Sequence, residues 1–244
     1  MLYIDYEQQT RIYTYRAFDC TGVRNYIYKS SNGGNTWNYF NVTNPTYYSI
    51  NSLSISRSDS QIIYAGTGNG IYKSTNGGSS WTKTSTTSSI YSLAVDPTDP
   101  RIVYAGTANG VYESIDGGNT LTQFFPGRSI GYLIIDPTNP QILYVSTIDT
   151  YDNNIFKTIN QLTSIGKCNL DLDHTYRANA LAINPNNPRI IYAGTNNGLY
   201  KTKNGCEKWV YIDLLGGIIN SLAISSNNPE ILYVGTDTGV YKVY

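Results

Sequence analysis

Ser92-Leu93-Ala94-Val95-Asp96-Pro97-Thr98-Asp99-Pro100-Arg101-Ile102-Val103-Tyr104-Ala105-Gly106-Thr107 is the stretch on which the fold turns, because the chain repeats it. Ser52 to Thr67, Ala180 to Thr195 and Ser221 to Thr236 follow the same pattern. Tyr132 to Thr147 follows it loosely, and Met1 to Arg16 more loosely still. Leu2, Leu53, Leu93, Leu133, Leu181 and Leu222 anchor six copies, at spacings of 51, 40, 40, 48 and 41 residues. Self-similarity at such a period marks a repeat architecture, in which each unit buries its apolar face on the next.

Each copy parses into strands. Leu93-Ala94-Val95 is short and apolar, and Asp96-Pro97-Thr98-Asp99-Pro100 ends it, since proline fixes φ and offers no ladder donor. Ile102-Val103-Tyr104-Ala105 is a second strand and Val111-Tyr112-Glu113-Ser114 a third. Between them Asn109-Gly110 reads as a type I′ turn, with positive φ at both residues. A Gly-rich turn then leads to a fourth strand near Thr120. Four antiparallel strands per repeat read as a propeller blade.

The spacing therefore predicts an all-β, six-bladed β-propeller of four-stranded antiparallel blades, a single domain over residues 1–244. Its blades fall at about 1–48, 49–88, 89–128, 129–176, 177–217 and 218–244. Tyr13, Tyr64, Tyr104, Tyr144, Tyr192 and Tyr233 hold one position of strand two; Tyr28, Tyr72, Tyr112, Phe156, Tyr200 and Tyr241 hold one of strand three. Stacked sheets sandwich such rings, so they are assigned to the core. The last copy stops in its third strand, which makes Val240 to Tyr244 an open edge where a partner or a neighbouring copy could add a strand, unless the chain is a cut from something longer.

Composition excludes several functions. Seventeen basic residues balance seventeen acidic ones, so no basic footprint for nucleic acid is present. No apolar run is long enough for a membrane helix, and membrane insertion is not expected. One histidine and three scattered cysteines (Cys20, Cys168, Cys206) suggest neither a zinc site nor a disulfide framework; no metal and no cofactor are expected. The 24 tyrosines and 22 glycines fit an all-β chain, and the 14% charged residues suit an extracellular, cell-surface or virion-associated protein. Met1-Leu2-Tyr3-Ile4-Asp5-Tyr6-Glu7 does not read as a secretion signal.

Ser30-Ser31-Asn32-Gly33-Gly34-Asn35-Thr36-Trp37, Ser74-Thr75-Asn76-Gly77-Gly78-Ser79-Ser80-Trp81 and Ser114-Ile115-Asp116-Gly117-Gly118-Asn119-Thr120-Leu121 share a further motif. Thr202-Lys203-Asn204-Gly205-Cys206-Glu207-Lys208-Trp209 is a worn copy, and Thr158 to Ile165 a more worn one. The motif resembles the Asp-box, of form S-x-[DN]-x-G-x-[ST]-W, and the whole chain is similar to the Asp-box (bacterial-neuraminidase-repeat-like) propellers. These include sialidases, xyloglucan-cleaving glycoside hydrolases, the sortilin luminal domain and a photosystem II assembly factor. The resemblance implies a structural staple at Asn32, Trp37, Asn76, Trp81, Asp116, Asn204 and Trp209. It supplies no catalytic residue: Arg11-Ile12-Tyr13 lacks the proline of the sialidase start, and Glu7, Glu113, Glu207 and Glu230 fall away from the face where an active site would lie.

The two–three and four–one connections carry every sizeable insertion, and loops of varied length are where binding residues collect. Asp19 and the candidates Phe124, Phe125, Arg128, Tyr151, Asp152, His174, Tyr176 and Arg177 fall there. Aromatics beside arginine and aspartate suit sugar stacking or a protein contact. The expected function is a non-catalytic recognition or scaffolding module for a glycan or protein; the alternative is a glycoside hydrolase or sialidase-like enzyme using loop carboxylates.

Overall fold

The structure is a computed structural model and describes residues 2–5, 10–19, 22–32, 35–42, 48–84, 88–149, 154–159, 164–168, 177–212, 217–225 and 228–244. Among them every regular element is a β-strand. Sheet 1 comprises Leu2–Asp5, Thr10–Asp19, Gly22–Ser30 and Asn38–Asn41; sheet 2 comprises Ile50–Ile55, Ile63–Thr67, Gly70–Ser74 and Thr82–Lys83. Sheet 3 comprises Ile90–Val95, Val103–Thr107, Gly110–Ser114 and Thr122–Pro126; sheet 4 comprises Ile130–Ile135, Leu143–Thr147, Ile155–Ile159 and Ser164–Lys167. Sheet 5 comprises Ala178–Ile183, Ile191–Thr195, Gly198–Thr202 and Trp209–Ile212; sheet 6 has only Ile219–Ile224, Leu232–Thr236 and Val240–Val243. Five complete four-stranded blades are thus present, and the three-stranded sheet is at most a partial sixth, against the six expected. The chain divides into two compact units, Met1–Gln123 and Phe124–Tyr244.

Local polar contacts set each sheet. After the first strand of sheet 3, Asp96 Oδ1 accepts the amides of Thr98 at 2.7 Å and Asp99 at 3.1 Å, and Asp136 and Asn184 act alike in sheets 4 and 5. This carboxylate-led turn returns the chain into strand two. The two–three hairpin differs from the type I′ expectation. Gly110 has φ of 137°, whereas Cys206 is the non-glycine residue with positive φ among those described, so Asn109 does not share the turn's left-handed geometry. Thr107 closes the hairpin instead, its hydroxyl donating to Gly110 O at 3.0 Å and accepting from Asn109 N at 3.0 Å. Thr67 and Thr195 repeat the clamp.

Sheets pack through alternating faces. In the first unit, Ile27 of sheet 1 and Val42, just past its last strand, meet Leu53, Ile55, Ile63 and Tyr72 of sheet 2. Tyr64 and Ile71 of sheet 2 in turn meet Leu93, Val95 and Val103 of sheet 3. In the second unit sheet 5 joins sheets 4 and 6 in the same way. First strands also bond across sheets: Leu93 N donates to Ser52 Oγ at 2.9 Å and Val95 N to Ser54 Oγ at 3.2 Å. Most of the tyrosine assignment to the core matches the burial of Tyr64, Tyr104, Tyr144 and Tyr192. Tyr13 is a correction. It pairs with Tyr28, as Ala65 pairs with Tyr72, so Ile12 and not Tyr13 holds the register position of Tyr64. A one-residue slip exchanges the faces of a strand. Tyr233 and Tyr241 depart from the core, at 38% and 39% exposure.

The three–four turns connect neighbouring sheets. Ser74 Oγ accepts Gly78 N at 2.8 Å, Asn76 Oδ1 accepts Ser80 N at 2.9 Å, and Trp81 Nε1 donates to Gly78 O at 3.0 Å. Gly77 and Gly78 have φ of 64° and 87°, Gly117 and Gly118 of 77° and 90°, which only glycine adopts without penalty. Absence of a side chain lets the turn lie on the sheet before it. Lys29 Nζ donates to Gly77 O at 2.6 Å, and a Cβ at Gly117 would lie 2.8 Å from Lys73 Nζ and 3.1 Å from Tyr64 Oη. Lys73 stands 5.4 Å from the Tyr64 ring centroid, and Tyr64 Oη donates to Pro100 O at 2.8 Å.

In sheet 5 this turn carries a disulfide that the cysteine spacing does not announce. Cys206, with φ of 79°, occupies the place of Gly78 and Gly118. Cys168 occupies the place of Thr84, each residue donating its amide to the third strand of its own sheet. A Cβ at Gly118 would lie 3.2 Å from Thr84 Cγ2, so cysteines at this pair of positions meet, and Cys168 is bonded to Cys206. The odd, scattered cysteine count suggests no disulfide framework; the one bond seen among the described residues arises between sheets, 38 residues apart. Trp209 Nε1 is buried without a hydrogen-bond partner among the described residues, unlike Trp81 Nε1.

Replacing Cys168 by Ser is expected to lower stability by about 3–4 kcal/mol, read as a fall in Tm. Cys206→Gly removes the same link but restores the residue suited to this backbone, and is expected to lose about 1 kcal/mol less. Equal losses would contradict the arrangement. A pH series tests the turns. Burial, with Asp99 and Asp116 nearby, pushes the Tyr64 phenol up to about 12, and burial with Asp136 nearby does the same at Tyr144. Their contribution is full below pH 10 and is lost as pH rises toward 12, because the unfolded chain releases those protons first. Hydrogen bonds from Thr120 and Ser114 hold Asp116 at about 2, so its contribution is present above 3.8 and is lost as pH falls toward 2. Tm should fall at both ends; Asp116→Asn should weaken the acid limb, of which Asp99, held at about 2 by Arg101, keeps a share, and should trim the alkaline limb by removing one of the charges beside Tyr64.

Candidate functional site

Strand alternation brings the four–one and two–three connections to the same end of a sheet, and backbone bonds tie them there. In sheet 4, Ile148 N donates to Ser129 O at 2.9 Å and Ser129 N donates to Asp149 Oδ1 at 2.9 Å. Sheet 5 repeats the pair, with Asn196 N on Arg177 O at 3.3 Å and Arg177 N on Asn196 Oδ1 at 2.9 Å. An acidic or amide side chain in one connection therefore fixes the backbone of the other.

Beside the sheet 4 pair lies an aromatic–cationic cluster. Phe124 and Phe125 close the strand Thr122–Pro126 and are half-buried. The Phe125 ring lies 5.4 Å from that of Phe156, tilted by 58°, and the Arg128 guanidinium stands 4.9 Å over the Phe156 ring. Gly127, with φ of 78° and open space where a Cβ would stand, makes the bend that returns Arg128 over the ring. Ile148, 37% exposed, edges the same connection. The Arg128 guanidinium over the buried Phe156 ring, with the half-buried Phe125 ring beside it, joins a cation and two aromatic rings at this corner.

Of the candidates, the structure groups Phe125 and Arg128 and sets Phe124 next to them in sequence. Arg177 is exposed at the matching corner of sheet 5. Tyr151, Asp152, His174 and Tyr176 lie outside the described residues. Asp19 ends the second strand of sheet 1. Sequence reasoning missed Phe156 and Asp149 as members of the group. The signal for Phe156 was present: it is the phenylalanine in a row otherwise made of tyrosines.

The residues of the three–four turns do something else. Asn32, Asn76, Asp116 and Asn204 each accept a backbone amide four residues on, at 2.9 to 3.0 Å, and Trp37, Trp81 and Trp209 are half-buried. The side-chain oxygens of the Asn and Asp residues are engaged within the turn. Among the described residues no three of His, Cys, Asp and Glu stand together as a metal site, and no helix is long and apolar enough to cross a membrane.

No protein-family model and no curated protein matches the chain. Solved structures do. The chain is similar to a GH74 enzyme of Niastella koreensis, at 20% identity and TM-score 0.79 over 99% of this chain and 44% of that one. It is similar to the GH74 xyloglucanase of Xanthomonas campestris, at 13% identity and TM-score 0.60 over 99% and 51%. The extracellular domain of BT4673 from B. thetaiotaomicron matches at 20% identity and TM-score 0.68 over 95% and 32%. This chain thus spans about half or less of each. At such identities the likeness shows the fold, a β-propeller built of four-stranded antiparallel blades.

Asp149→Ala should free the Ser129 amide, so hydrogen exchange at Ser129 should quicken while exchange at Leu143 stays slow. Unchanged exchange at Ser129 would mean that Asp149 does not hold the connection.

Proposed function

We propose that the chain is an exported, non-catalytic recognition propeller of the Asp-box repeat type, on a cell or particle surface, taking a glycan or protein at its two–three and four–one connections. The observation that carries this reading is the Phe125–Phe156–Arg128 stack beside the Asp149-fixed connection. Sugar C–H faces stack on phenylalanine while guanidinium nitrogens meet hydroxyls or a carboxylate. The Ser-x-Asn/Asp turn network supports the repeat type, and a six-blade count takes the three-stranded sheet as a blade. The Cys168–Cys206 bond supports an oxidising compartment, where disulfides persist. Similarity to the extracellular domain of BT4673 agrees with it.

The likeness to GH74 enzymes raises the hydrolase reading. Hydrolysis needs two carboxyls facing across a pocket, about 5–10 Å apart. Asp59, Asp96, Asp99, Asp116, Asp136 and Asp149 instead each accept backbone amides that shape turns. Among the described residues that engagement supports recognition over catalysis; Asp152 and Asp173, the loop carboxylates on which the hydrolase reading would rest, lie outside them.

Glycan-array and pull-down screens of the chain should yield a ligand whose binding falls at least about tenfold in Phe125→Ala and Arg128→Ala. Binding retained by both variants would place the ligand elsewhere. Release of reducing sugar from an array glycan would overturn the non-catalytic reading.

A further inference from the structure

We propose that Asn69-Gly70, Asn109-Gly110 and Asn197-Gly198, in the two–three hairpins, are sites of spontaneous deamidation, with Asn109 the first to react, while Asn76-Gly77 and Asn204-Gly205 in the three–four turns are held against it. The protein thereby gains carboxylates at one end of its sheets as it ages. The inference is independent of what the connections bind. It rests on two chemically identical sets of Asn-Gly pairs that the fold treats differently.

The reaction needs only water. The glycine amide gives up its proton to solvent and its nitrogen attacks the asparagine Cγ. As that C–N bond forms, the Cγ–Nδ2 bond breaks and ammonia leaves with its electron pair. Water then opens the cyclic imide, at Cγ to give aspartate or at the main-chain carbonyl to give isoaspartate. One water is consumed and one ammonia released. Glycine favours the ring because no Cβ crowds its nitrogen. A carboxamide oxygen held by donors, or a glycine N–H held by an acceptor, opposes it, since those bonds have to break first.

The three–four turns hold both partners. Asn76 Oδ1 accepts Ser80 N at 2.9 Å and Ser74 Oγ at 3.0 Å, its Nδ2 donates to Ser80 Oγ at 2.8 Å, and Gly77 N donates to Gln61 O at 2.9 Å. Asn204 Oδ1 accepts Thr202 Oγ1 at 2.8 Å and Lys208 N at 3.0 Å, and Gly205 N donates to Arg189 O at 2.9 Å. The hairpins leave the side chain loose. Thr67, Thr107 and Thr195 clamp the main-chain amide of each asparagine and the carbonyl of each glycine. The carboxamides of Asn69, Asn109 and Asn197 make no hydrogen bond among the described residues. Sheet 6 repeats the clamp, and there Thr236 N donates to Gly239 O at 2.8 Å while Gly239 N has no partner among the described residues. Asn109 leads because it is exposed, whereas Asn69 and Asn197 are half-buried and the Tyr211 ring lies 2.8 Å from where a Cβ of Gly198 would stand. At Asn109 the isoaspartate branch also turns the carbonyl that accepts Gln123 Nε2 at 2.9 Å into a free carboxylate.

The test is peptide mapping by mass spectrometry after the folded 244-residue chain is kept warm at mildly alkaline pH in water enriched in oxygen-18, which labels every opened imide. Asn109 should convert at least about tenfold faster than Asn76 and Asn204, because the turns react only through local opening. Protein isoaspartyl methyltransferase should then label the Asn109 peptide. In urea the same pairs should react at similar rates, since the contrast belongs to the fold and not to the local sequence. Asn76 or Asn204 keeping pace with Asn109 in the folded chain overturns the proposal. So does a contrast that persists undiminished in urea.

Discussion

A bare stretch of backbone resting on the neighbouring sheet is the constraint on which the stacking depends. At Gly77 and Gly117 the chain has no side chain to hold it off, so a lysine ammonium from the preceding sheet reaches the turn. At Gly117 that lysine, Lys73, sits on the buried Tyr64 ring, and the same phenol reaches the proline turn of the next sheet. One tyrosine thus couples two turns and a cation across a single junction. Strand faces supply the apolar area, about 2 kcal/mol for each fully buried side chain, but they leave sliding open. Polar contacts of fixed length remove it.

The serine and asparagine contacts near the first strands add a second set of anchors. Ser52 and Ser54 receive amides from sheet 3, and Asn51 and Asn179 donate to Ile90 and Ile219 carbonyls. A low content of charged residues fits this economy, since hydroxyls and amides join neighbouring backbones without the desolvation that buried ions incur.

The blades were legible because strand, proline turn and hairpin recur at a fixed interval and each is a local matter. What was illegible depended on neighbours. Tyr13 was misplaced by one residue because aromatic matching across copies ignores hydrogen-bond register, which the pairing with Tyr28 sets. Asn109 was assigned a left-handed turn that the Thr107 hydroxyl makes unnecessary. Phe125 and Arg128 could be picked out as residues of a varied connection, yet their meeting ring, Phe156, belongs to another sheet and looked like ordinary core. The disulfide escaped notice for the same reason.

That bond also constrains the route by which it was acquired. Cys206 sits where the backbone suits glycine, so a cysteine arriving there alone would bring strain with no gain. Cys168 takes a slot that holds threonine in sheet 2, and a lone thiol is well tolerated at such a site. The permissive change is therefore at 168 and the committing one at 206, and reversal has to run in the opposite sequence.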